Sequence, residues 1–403
     1  MLLCHSRESG NPERGIIWIP DQVRNDNVTR YTFHVIRFMI IGVDANEANV
    51  PMKVGVSVYT LNLLRYFRKR ADKNTQFKIF LRHKPSSDLP DANRYFSYEV
   101  ISGIVFWSQI FLPLHLYSKR DVDIFFSPAH YAPRFCPVPT VITIHDLSYI
   151  YFPGDFLKKD LYQLRNWTQY SIHKAKKIIA VSKTTKNDIM KAYQIPEERV
   201  EVVYNGYKKE LKIKNLESKI KIDTKNQYIL YVGTLQPRKN IVTLIQAFAK
   251  FKDSYPEFKL IVAGKKGWLF ESIFDFVSEL GLNNDIYFSD YVTDQQLAFL
   301  YKNAFCFVLP SLYEGFGIPI LEAMSFGCPV ISSFASSLPE VGGDACLYFD
   351  PQGVDDLVEK IKQIKNDTKL RADLIQKGKK RVKEFSWEKC GEETLSIIQN
   401  AIQ

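Results

Sequence analysis

The sequence predicts an α/β protein with two tandem domains, each built on a doubly wound parallel sheet. A chain of 403 residues is longer than one hydrophobic core usually holds. From Met39 onward, short apolar runs typical of buried strands alternate with helical patterns, and a second such series starts at Tyr228. Between the two series, the stretch 208–227 is Lys-rich and weakly patterned, as expected of a linker. Since ligands bind at the carboxyl ends of strands in open α/β sheets, the two sheets predict an interdomain cleft.

The elements of the two domains follow from the apolar periodicity. In the first domain, predicted over 39–212, candidate strands lie at 39–44, 76–81, 123–127, 139–144, 177–181 and 200–203, and helical patterns lie near 54–71, 107–118, 156–173 and 182–193. In the second, predicted over 213–385, candidate strands lie at 228–233, 259–263, 286–288, 305–309, 329–332 and 346–349. A last helical pattern occupies 386–403.

The first 38 residues differ from the rest of the chain. They have no sustained helical or strand period, and they lack the apolar core and cleavage site of a secretory signal. Their sequence resembles that of translated bacterial dispersed repeats, which enter reading frames when a start codon is assigned too far upstream. We therefore expect residues 1–38 to be a non-native or disordered leader and Met39 to lie near the native start.

Charge and cysteine usage limit the class of protein. Residues 39–212 contain 26 Lys and Arg against 16 Asp and Glu, so the net charge of +10 lies in the first domain. Such an excess suits an anionic partner, namely a membrane surface, a lipid-linked phosphate or nucleic acid. The six cysteines are scattered without a Cys-x-x-Cys pair, which is typical of a reduced cytoplasmic protein. No apolar run reaches the roughly 18 residues of a transmembrane helix.

The segment 311–324 places two carboxylates eight residues apart across a glycine-rich turn. The run 305–310 before it is short and apolar, which predicts a buried strand. The run 317–326 has apolar residues at helical spacing. Glu314 is therefore expected where the strand passes into the helix, and Glu322 about one and a half turns inside the helix.

This turn combines two kinds of binding group. Free amides near Gly315, Phe316 and Gly317 would form a helix N-terminus, which suits an anionic ligand. The carboxylates of Glu314 and Glu322 repel phosphate but accept hydrogen bonds from sugar hydroxyls. The pattern indicates a ligand that carries both phosphate and sugar, although two glutamates on a solvated helix face would give the same spacing.

A second phosphate-binding pattern lies at 233–240, with the sequence GTLQPRKN. Arg238 and Lys239 follow a strand, a glycine and a proline, and they precede a helical pattern at 240–252. A guanidinium, an ammonium and free amides at one helix end favour a bound phosphate over the alternative of two solvated cations.

A histidine and two aspartates are further candidates. His145 follows the strand 139–144 and would face the cleft, where Asp146 would orient its ring; a structural histidine is the alternative. Asp121 and Asp123 resemble the Asp-x-Asp of metal-dependent transferases, yet they lead directly into a strand and favour a strand-start turn. We therefore predict no required metal.

Three motifs, which occur along the chain in the same order as in the family, resemble those of the retaining glycosyltransferases called family 4. They are the Glu-x7-Glu of 314–322 followed by 327–332, the loop 233–240, which resembles the family's diphosphate-binding loop, and the segment 143–147, which resembles its first-domain histidine loop. The resemblance covers about 39–403. It implies the GT-B fold, in which two Rossmann-like doubly wound domains face an interdomain cleft. The first domain, 39–212, would be the acceptor side, the second, 213–385, would bind the nucleotide sugar, and the last helix, 386–403, would return to the first domain.

The resemblance also implies roles for individual residues. The residues at the chemistry would be His145, Arg238, Lys239 and Glu314, and the donor-binding residues would be Gly55, Gly233, Arg238, Lys239, Glu314, Gly315, Phe316, Gly317, Ile318 and Glu322. In this assignment Glu314 binds hydroxyls of the transferred sugar, Glu322 binds the ribose hydroxyls, and His145 lies beside the sugar. The loop of Gly55 has one glycine where family members commonly have a pair. The turn 336–343 resembles the family's loop near the donor, with Glu340 as a weaker candidate. The turn 264–268 follows another strand, and it either flanks the nucleotide or is a solvated turn.

The implied activity is transfer of a hexose from a nucleotide-diphosphate sugar to a polysaccharide or lipid-linked glycan, without metal or cofactor. The sequences of the motifs most resemble those of the mannosyltransferases of this family that build surface polysaccharides, so GDP-mannose is the expected donor. UDP-sugars, and glucosyl, rhamnosyl or N-acetylhexosaminyl transfer, are the alternatives within the fold.

Two other classes of protein are alternatives. A dinucleotide-binding oxidoreductase needs Gly-x-Gly-x-x-Gly after a first strand, which the stretch after Ile41 lacks. A basic nucleic-acid-binding protein would use the first domain, but no recognition motif supports it, and we expect no nucleic-acid partner.

The aromatic stretch 106–116 is either a buried helix or an amphipathic helix at a membrane interface. We expect a cytoplasmic enzyme in reversible contact with the inner face of the cell membrane.

Overall fold

The computed structural model describes residues 20–23, 30–33, 38–103, 106–208, 227–265, 267, 271–289 and 292–402. Most of the predicted leader and of the predicted linker lies outside these ranges. Within the leader, β1 (Pro20–Val23) and β2 (Arg30–Phe33) form an antiparallel pair.

The first domain is built on a seven-stranded parallel sheet. Its strands are β3 (Met39–Asp44), β4 (Thr75–Leu81), β5 (Phe96–Val100), β6 (Ile124–Ser127), β7 (Thr140–Ile144), β8 (Lys177–Ala180) and β9 (Val200–Val202), in the order β5-β4-β3-β6-β7-β8-β9. Its helices are α1 (Val56–Arg70), α2 (Phe111–Lys119), α3 (Ser148–Tyr151), α4 (Lys158–Lys174) and α5 (Lys183–Tyr193). All of the strands predicted for this domain are present. The edge strand β5 was not predicted.

The second domain is built on a six-stranded parallel sheet. Its strands are β10 (Tyr228–Val232), β11 (Lys259–Ala263), β12 (Ile286–Ser289), β13 (Cys306–Leu309), β14 (Val330–Ser333) and β15 (Cys346–Phe349), in the order β12-β11-β10-β13-β14-β15. The helices that follow are α6 (Ile241–Ser254), α7 (Glu271–Glu279), α8 (Asp294–Asn303), α9 (Ile318–Ser325), α10 (Leu338–Gly342), α11 (Val354–Asn366), α12 (Thr368–Arg381) and α13 (Trp387–Asn400).

Both sheets have a topological switch point at their centre. The chain moves outward from β3 through β4 to β5, then returns to the other side of β3 as β6; β10 and β13 repeat this arrangement. All four residues of β6 and of β13 are buried, because helices cover both faces of a parallel sheet. Loops that leave the carboxyl ends of these central strands line a crevice, which is where such sheets bind ligands.

The last helix packs on the first domain. Cys390, Leu395 and Ile398 of α13 are buried in the same hydrophobic cluster as residues of α1 and β3. Gly391 lies so close to the ring of Tyr66 on α1 that any side chain at position 391 would overlap it. The crossing of α13 therefore ties the two domains together.

Candidate active site

Glu314 lies in the turn between β13 and α9. The strand ends at Leu309, and α9 begins at Ile318 after Gly317, whose φ of 107° is a left-handed conformation that favours glycine. Glu322 lies in the second turn of α9, as predicted. Seven residues therefore separate Glu314 from Glu322, and the backbone changes direction between them.

Glu314 is paired with the two cations of the predicted phosphate loop. Arg238 and Lys239 lie in the 3-10 turn Pro237–Lys239, directly before α6. Lys239 Nζ lies 2.6 Å from Glu314 Oε1, and Arg238 Nη1 lies 3.8 Å from Glu314 Oε2. The hydroxyl of Ser311 also donates to Glu314 Oε1, at 2.7 Å. The side chains of all three charged residues are about 15% exposed, so they form a largely buried ionic cluster.

The electrostatics keep Glu314 ionised. Burial raises the pKa of its carboxyl group, but the charges of Lys239 and Arg238 outweigh this effect and hold the pKa below its usual value. Burial also lowers the pKa of Lys239, an effect that Glu314 opposes. Arg238 donates through Nη1 to the carbonyl oxygen of Tyr313 at 3.2 Å, and its buried Nε has no partner among the described residues. The cluster therefore retains donor capacity for an anion.

The glycine-rich turn presents backbone amides beside this cluster. Among the described residues, the N–H groups of 315–318 donate no hydrogen bond within the chain. Ser337 Oγ donates to the carbonyl oxygens of Glu314 and Phe316, at 2.8 and 3.0 Å, and so fixes the shape of the turn. The Phe316 side chain is buried against Tyr204, so only its backbone faces the cleft. Free amides at a helix N-terminus stabilise negative charge.

The first domain contributes His145 and Asp146, which follow β7. His145 Nε2 lies 2.8 Å from the carbonyl oxygen of Pro128, which only accepts, so Nε2 carries the proton. Burial and the neighbouring His130 lower the pKa of His145 to about 4, so the ring is neutral near pH 7. Burial raises the pKa of Asp146, but Arg238 across the cleft and hydrogen bonds from Ser148 bring it below its usual value.

The two domains meet at Gly315. A methyl group at position 315 would overlap the carbonyl oxygen of His145 and approach Cβ of Asp146 to 2.9 Å. The structure therefore brings His145, Arg238, Lys239 and Glu314 to one place, which the sequence predicted from segments up to 169 residues apart. Only glycine at position 315 permits this approach.

Sequence comparison places this chain in a known family. Residues 54–211 match the profile described as Glycosyltransferase Family 4, and residues 212–381 match that of Glycosyl transferases group 1. The chain is 34% identical over 282 residues to O-antigen chain mannosyltransferase B of Escherichia coli. This alignment covers 68% of this chain and 74% of that protein. This chain belongs to glycosyltransferase family 4. It is also 34% identical over 210 residues to O-antigen chain mannosyltransferase RfbU of Salmonella typhimurium, covering 52% of this chain and 56% of that protein.

Structural comparison agrees with the predicted GT-B fold. The glycosyltransferase superposes on Anabaena HepE, solved in complex with UDP and glucose, with a TM-score of 0.69 and 18% identity. The superposition covers 90% of this chain and 100% of HepE. At this level of identity the similarity establishes the fold, and the fold prediction is confirmed.

The remaining predicted donor residues, Gly233, Gly55 and Ile318, lie where a strand ends or a helix begins. Gly233 follows β10 directly, and its N–H donates to the carbonyl oxygen of Ala263 at 2.9 Å. Gly55 precedes α1 with a φ of 50°, and no atom lies within 4 Å of a Cβ built there. Ile318 is the first residue of α9 and is partly buried.

Glu322 has a different environment from Glu314. Its carboxyl group accepts a hydrogen bond from the hydroxyl of Tyr301, with 3.2 Å between Tyr301 Oη and Glu322 Oε2. Burial raises the pKa of Glu322 to about 7; the Tyr301 bond and Lys208 oppose this shift, and Asp294 adds to it. One carboxylate of the pair is thus ionised in an ion pair, while the other titrates near neutral pH.

Glu340 has a role that the sequence did not reveal. It was a weaker candidate for a donor contact, but its carboxylate accepts hydrogen bonds from the N–H of Lys183 at 2.8 Å and from the hydroxyl of Tyr204 at 2.7 Å. It therefore joins α10 of the second domain to the start of α5 in the first. A contact between residues 157 positions apart has no local sequence signal.

Two other predicted features are placed by the structure. Asp123 Oδ2 accepts from the N–H of Ile40 at 2.9 Å, and Asp121 pairs with Lys78, so both aspartates lie at the amino ends of the strands. This agrees with the strand-start interpretation. In the loop 264–268, whose residues 266 and 268 lie outside the described ranges, the N–H of Gly267 donates to Leu235 and braces the phosphate loop.

Proposed function

We propose that this glycosyltransferase transfers mannose from GDP-mannose, with retention, to a polysaccharide or lipid-linked glycan. The observation that supports it best is the buried cluster of Arg238, Lys239 and Glu314 beside the amides of 315–318 and opposite His145. The mannosyltransferase names of the two relatives support the choice of sugar. Glucosyl, rhamnosyl or N-acetylhexosaminyl transfer is the alternative on the same fold.

The chemistry requires stabilisation of a nucleoside diphosphate as it leaves. Arg238 and Lys239 supply two positive charges, and the amides of 315–318 add the partial charge of a helix N-terminus. The carboxylate of Glu314, ionised in its ion pair, orients hydroxyls of the sugar. Because the pKa of Glu314 lies below its usual value, it is a weak base, and we assign deprotonation of the acceptor to the leaving phosphate.

His145 positions the sugar rather than moving a proton. Its ring is neutral near pH 7, and its Nε2–H is engaged with the carbonyl oxygen of Pro128. The carbonyl oxygen of His145 borders Gly315, so the backbone of this residue lies at the domain contact where the sugar would be held. A neutral, fixed imidazole supplies shape and polarity there without a competing charge.

The test is donor turnover by the purified chain, with GDP-mannose, UDP-glucose, UDP-N-acetylglucosamine and dTDP-rhamnose compared under identical conditions. We expect GDP-mannose to be hydrolysed or transferred fastest, and its rate to persist in EDTA because Arg238 and Lys239 replace a metal. Preference for another donor would revise the sugar. A strict Mg²⁺ or Mn²⁺ requirement would contradict the metal-independent mechanism, and absence of turnover with tight, salt-sensitive DNA binding would favour the nucleic-acid alternative.

Nucleotide affinity should depend on pH through Glu322. With a pKa of about 7, Glu322 is half protonated near neutral pH, and only the ionised form accepts hydrogen bonds from both ribose hydroxyls. Affinity for GDP should therefore be lost as pH falls through about 7, by up to tenfold per pH unit. Calorimetric titration at several pH values would measure this. In a Glu322→Gln variant, the affinity for GDP should vary with pH only through ionisation of the diphosphate. A pH profile equal to that of the wild type would contradict the role of Glu322 in nucleotide binding.

We also propose that the outer face of α2 rests on an anionic membrane surface. Among the described residues, no helix is both long enough and apolar enough to cross a bilayer. Leu112 and Leu116 of α2 are buried, whereas Phe111, Leu114 and Tyr117 are 38%, 63% and 44% exposed. One face of the helix therefore packs on the sheet, and the other is an apolar stripe followed by the basic residues 119 and 120, which supports the membrane-interface alternative.

Sedimentation with vesicles tests this contact. Leu114→Glu should reduce binding to phosphatidylglycerol-containing vesicles by about tenfold, since it removes an apolar contact and adds a repelled charge. Phe334→Glu is the matched control, because Phe334 is 68% exposed on the second domain. Equal binding by both variants, or equal binding to neutral phosphatidylcholine vesicles, would contradict the proposal.

A further inference from the structure

The segment 336–340 of the second domain connects the turn of Glu314 with the first domain. It follows β14 and enters α10, and we call it the strap. At one end, Ser336 and Ser337 bind the backbone of the Glu314 turn. At the other end, Glu340 binds the first residues of α5. Because only two residues, one of them a proline, separate Ser337 from Glu340, a displacement at one contact is transmitted to the other.

The serine end of the strap fixes the shape of the turn. Ser336 Oγ accepts from the N–H of Glu314 at 2.8 Å and lies 3.0 Å from its carbonyl oxygen, to which it donates. Ser336 has a φ of 46°, a left-handed conformation that is uncommon for a residue with a side chain. Such a conformation persists only where the surrounding contacts hold it, so the strap has one defined shape beside the turn.

The glutamate end of the strap caps a helix of the first domain. Glu340 Oε1 accepts from the N–H of Lys183 at 2.8 Å, and Glu340 Oε2 accepts from the N–H of Thr184 at 3.4 Å. These are the first two residues of α5, whose N–H groups have no partner within the helix. The third N–H, of Thr185, donates to the hydroxyl of Ser182. A carboxylate at a helix N-terminus also interacts favourably with the helix dipole, so α5 favours the bound position of Glu340.

Helix α5 also contacts both sequence neighbours of Glu314. The hydroxyl of Tyr313 donates to the carboxylate of Asp188, and Thr185 Oγ1 donates to the carbonyl oxygen of Gly315 at 3.4 Å. A hydrogen bond to a carboxylate is about twice as strong as a neutral one. The first turns of α5 therefore hold the Glu314 turn directly, and the strap adds a second connection through Glu340.

Two further residues hold Glu340 in place. Tyr204, which follows β9 near the end of the first domain, donates through its hydroxyl to Glu340 Oε1 at 2.7 Å. Arg381, at the end of α12, donates through Nη2 to the carbonyl oxygen of Glu340 at 2.6 Å and through Nε to that of Val341 at 3.0 Å. The position of the Glu340 carboxylate therefore depends on both domains.

Water has access to the Glu340 contact. A cavity of about 510 Å³ is lined by Lys183, Tyr204, Glu340 and Arg381. Hydrogen bonds that solvent reaches open at a lower free-energy cost than those in a packed core. The contact is therefore suited to form and break as the domains close and open.

We propose that Glu340 is a positioning residue: by capping α5 from the other domain, it holds the Glu314 turn against His145 during glycosyl transfer. Glu340 acts through the strap, and we assign it no contact with the donor. The inference rests on the proposed function only in requiring a donor that the chain turns over.

The two domains contribute different groups to the site, which determines the effect of losing Glu340. Arg238, Lys239 and Glu322 lie on the second domain, whereas His145 lies on the first. The serines of the strap still hold the shape of the turn when Glu340 is absent. A smaller fraction of the donor-bound enzyme would then be closed, so kcat should fall while nucleotide affinity is kept.

The experiment measures kcat with the donor that the wild-type chain turns over fastest, and the affinity for the nucleoside diphosphate of that donor. Glu340→Ala should lower kcat by about tenfold, the value of one charge-assisted hydrogen bond, and leave nucleotide affinity unchanged. Glu340→Gln keeps the length of the side chain and one acceptor oxygen, so its kcat should fall by only about threefold. Small-angle scattering with the nucleotide bound should show a larger radius of gyration for Glu340→Ala than for the wild type.

Tyr204→Phe removes one hydrogen bond to Glu340 and completes a double-mutant cycle. It should lower kcat by about threefold in the wild type and have no further effect in Glu340→Ala, because its partner is then absent. It also carries the test if circular dichroism shows that Glu340→Ala does not fold. Glu384→Ala is the matched control, since Glu384 lines the same cavity but pairs with Arg381 of its own domain, and it should change neither kcat nor affinity.

Three results would overturn the inference. They are an unchanged kcat in Glu340→Ala, a loss of nucleotide affinity as large as the loss of kcat, and additive effects of Tyr204→Phe and Glu340→Ala. The second would mean that Glu340 supports the fold of the second domain rather than its contact with the first. Absence of turnover of every donor by the wild-type chain would instead contradict the proposed function, and the scattering comparison would still test the role of Glu340.

Discussion

A Gly315→Ala enzyme should lose about ten- to a hundredfold in kcat/KM while remaining folded. Its added methyl group would overlap the carbonyl oxygen of His145, which is backbone and therefore yields less readily than a flexible side chain. Overpacking of this kind costs about 1–3 kcal/mol, and each 1.4 kcal/mol or so corresponds to tenfold in rate. The strain is relieved when the domains separate, and separation moves His145 away from Arg238, Lys239 and Glu314.

Steady-state kinetics with the preferred donor measure this effect, and small-angle scattering reports the separation of the domains. Gly154→Ala is the matched control, because no atom lies within 4 Å of a Cβ built there. Circular dichroism should show unchanged secondary structure, since Gly315 belongs to neither sheet. Near-native kinetics of Gly315→Ala would show that the contact between Gly315 and His145 is not needed for turnover.

The central strands were predictable because they are buried on both faces. Runs such as β10 and β13 are apolar throughout, and a parallel sheet covered by helices requires this. The strand β5 was missed because it lies at the sheet edge, where only Phe96 is buried and its other positions are polar or exposed. An edge strand shares its composition with loops, so its pattern is weak.

The parts of the ionic cluster and of the turn from Glu314 to Glu322 were also predictable, because each part is local. Glu314, Glu322 and the turn between them lie within nine residues, and Arg238 and Lys239 are adjacent in sequence. The contact of Glu340 with Lys183 and Tyr204 was not predictable, since its parts come from segments far apart in the chain. Side chains assembled by topology leave no spacing in the sequence.

Three substitutions in the buried ionic cluster and on α9 should produce distinguishable defects. Lys239→Ala should lower kcat by about 10²-fold or more, because Lys239 faces charge that grows as the donor bond breaks. Glu314→Ala should damage both turnover and discrimination between sugar donors, since it removes the acceptor of sugar hydroxyls. Glu322→Ala should mainly weaken nucleotide binding, because ribose contacts are similar in ground and transition states.

Stability must be measured beside kinetics, because Lys239 and Glu314 are partners. Removal of one member of a buried ion pair typically costs about 3–5 kcal/mol. Lys239→Ala leaves the Glu314 carboxylate with the Ser311 hydroxyl and with Arg238, 3.8 Å away. Lys239→Met with Glu314→Gln removes both charges, so this double variant should regain stability but not turnover. Lys250→Ala, at an exposed ion pair on α6, is the control and should change neither. The assays are thermal denaturation, GDP titration and steady-state kinetics with two donors. Recovery of turnover in the double variant would mean that Lys239 serves the fold rather than the departing diphosphate.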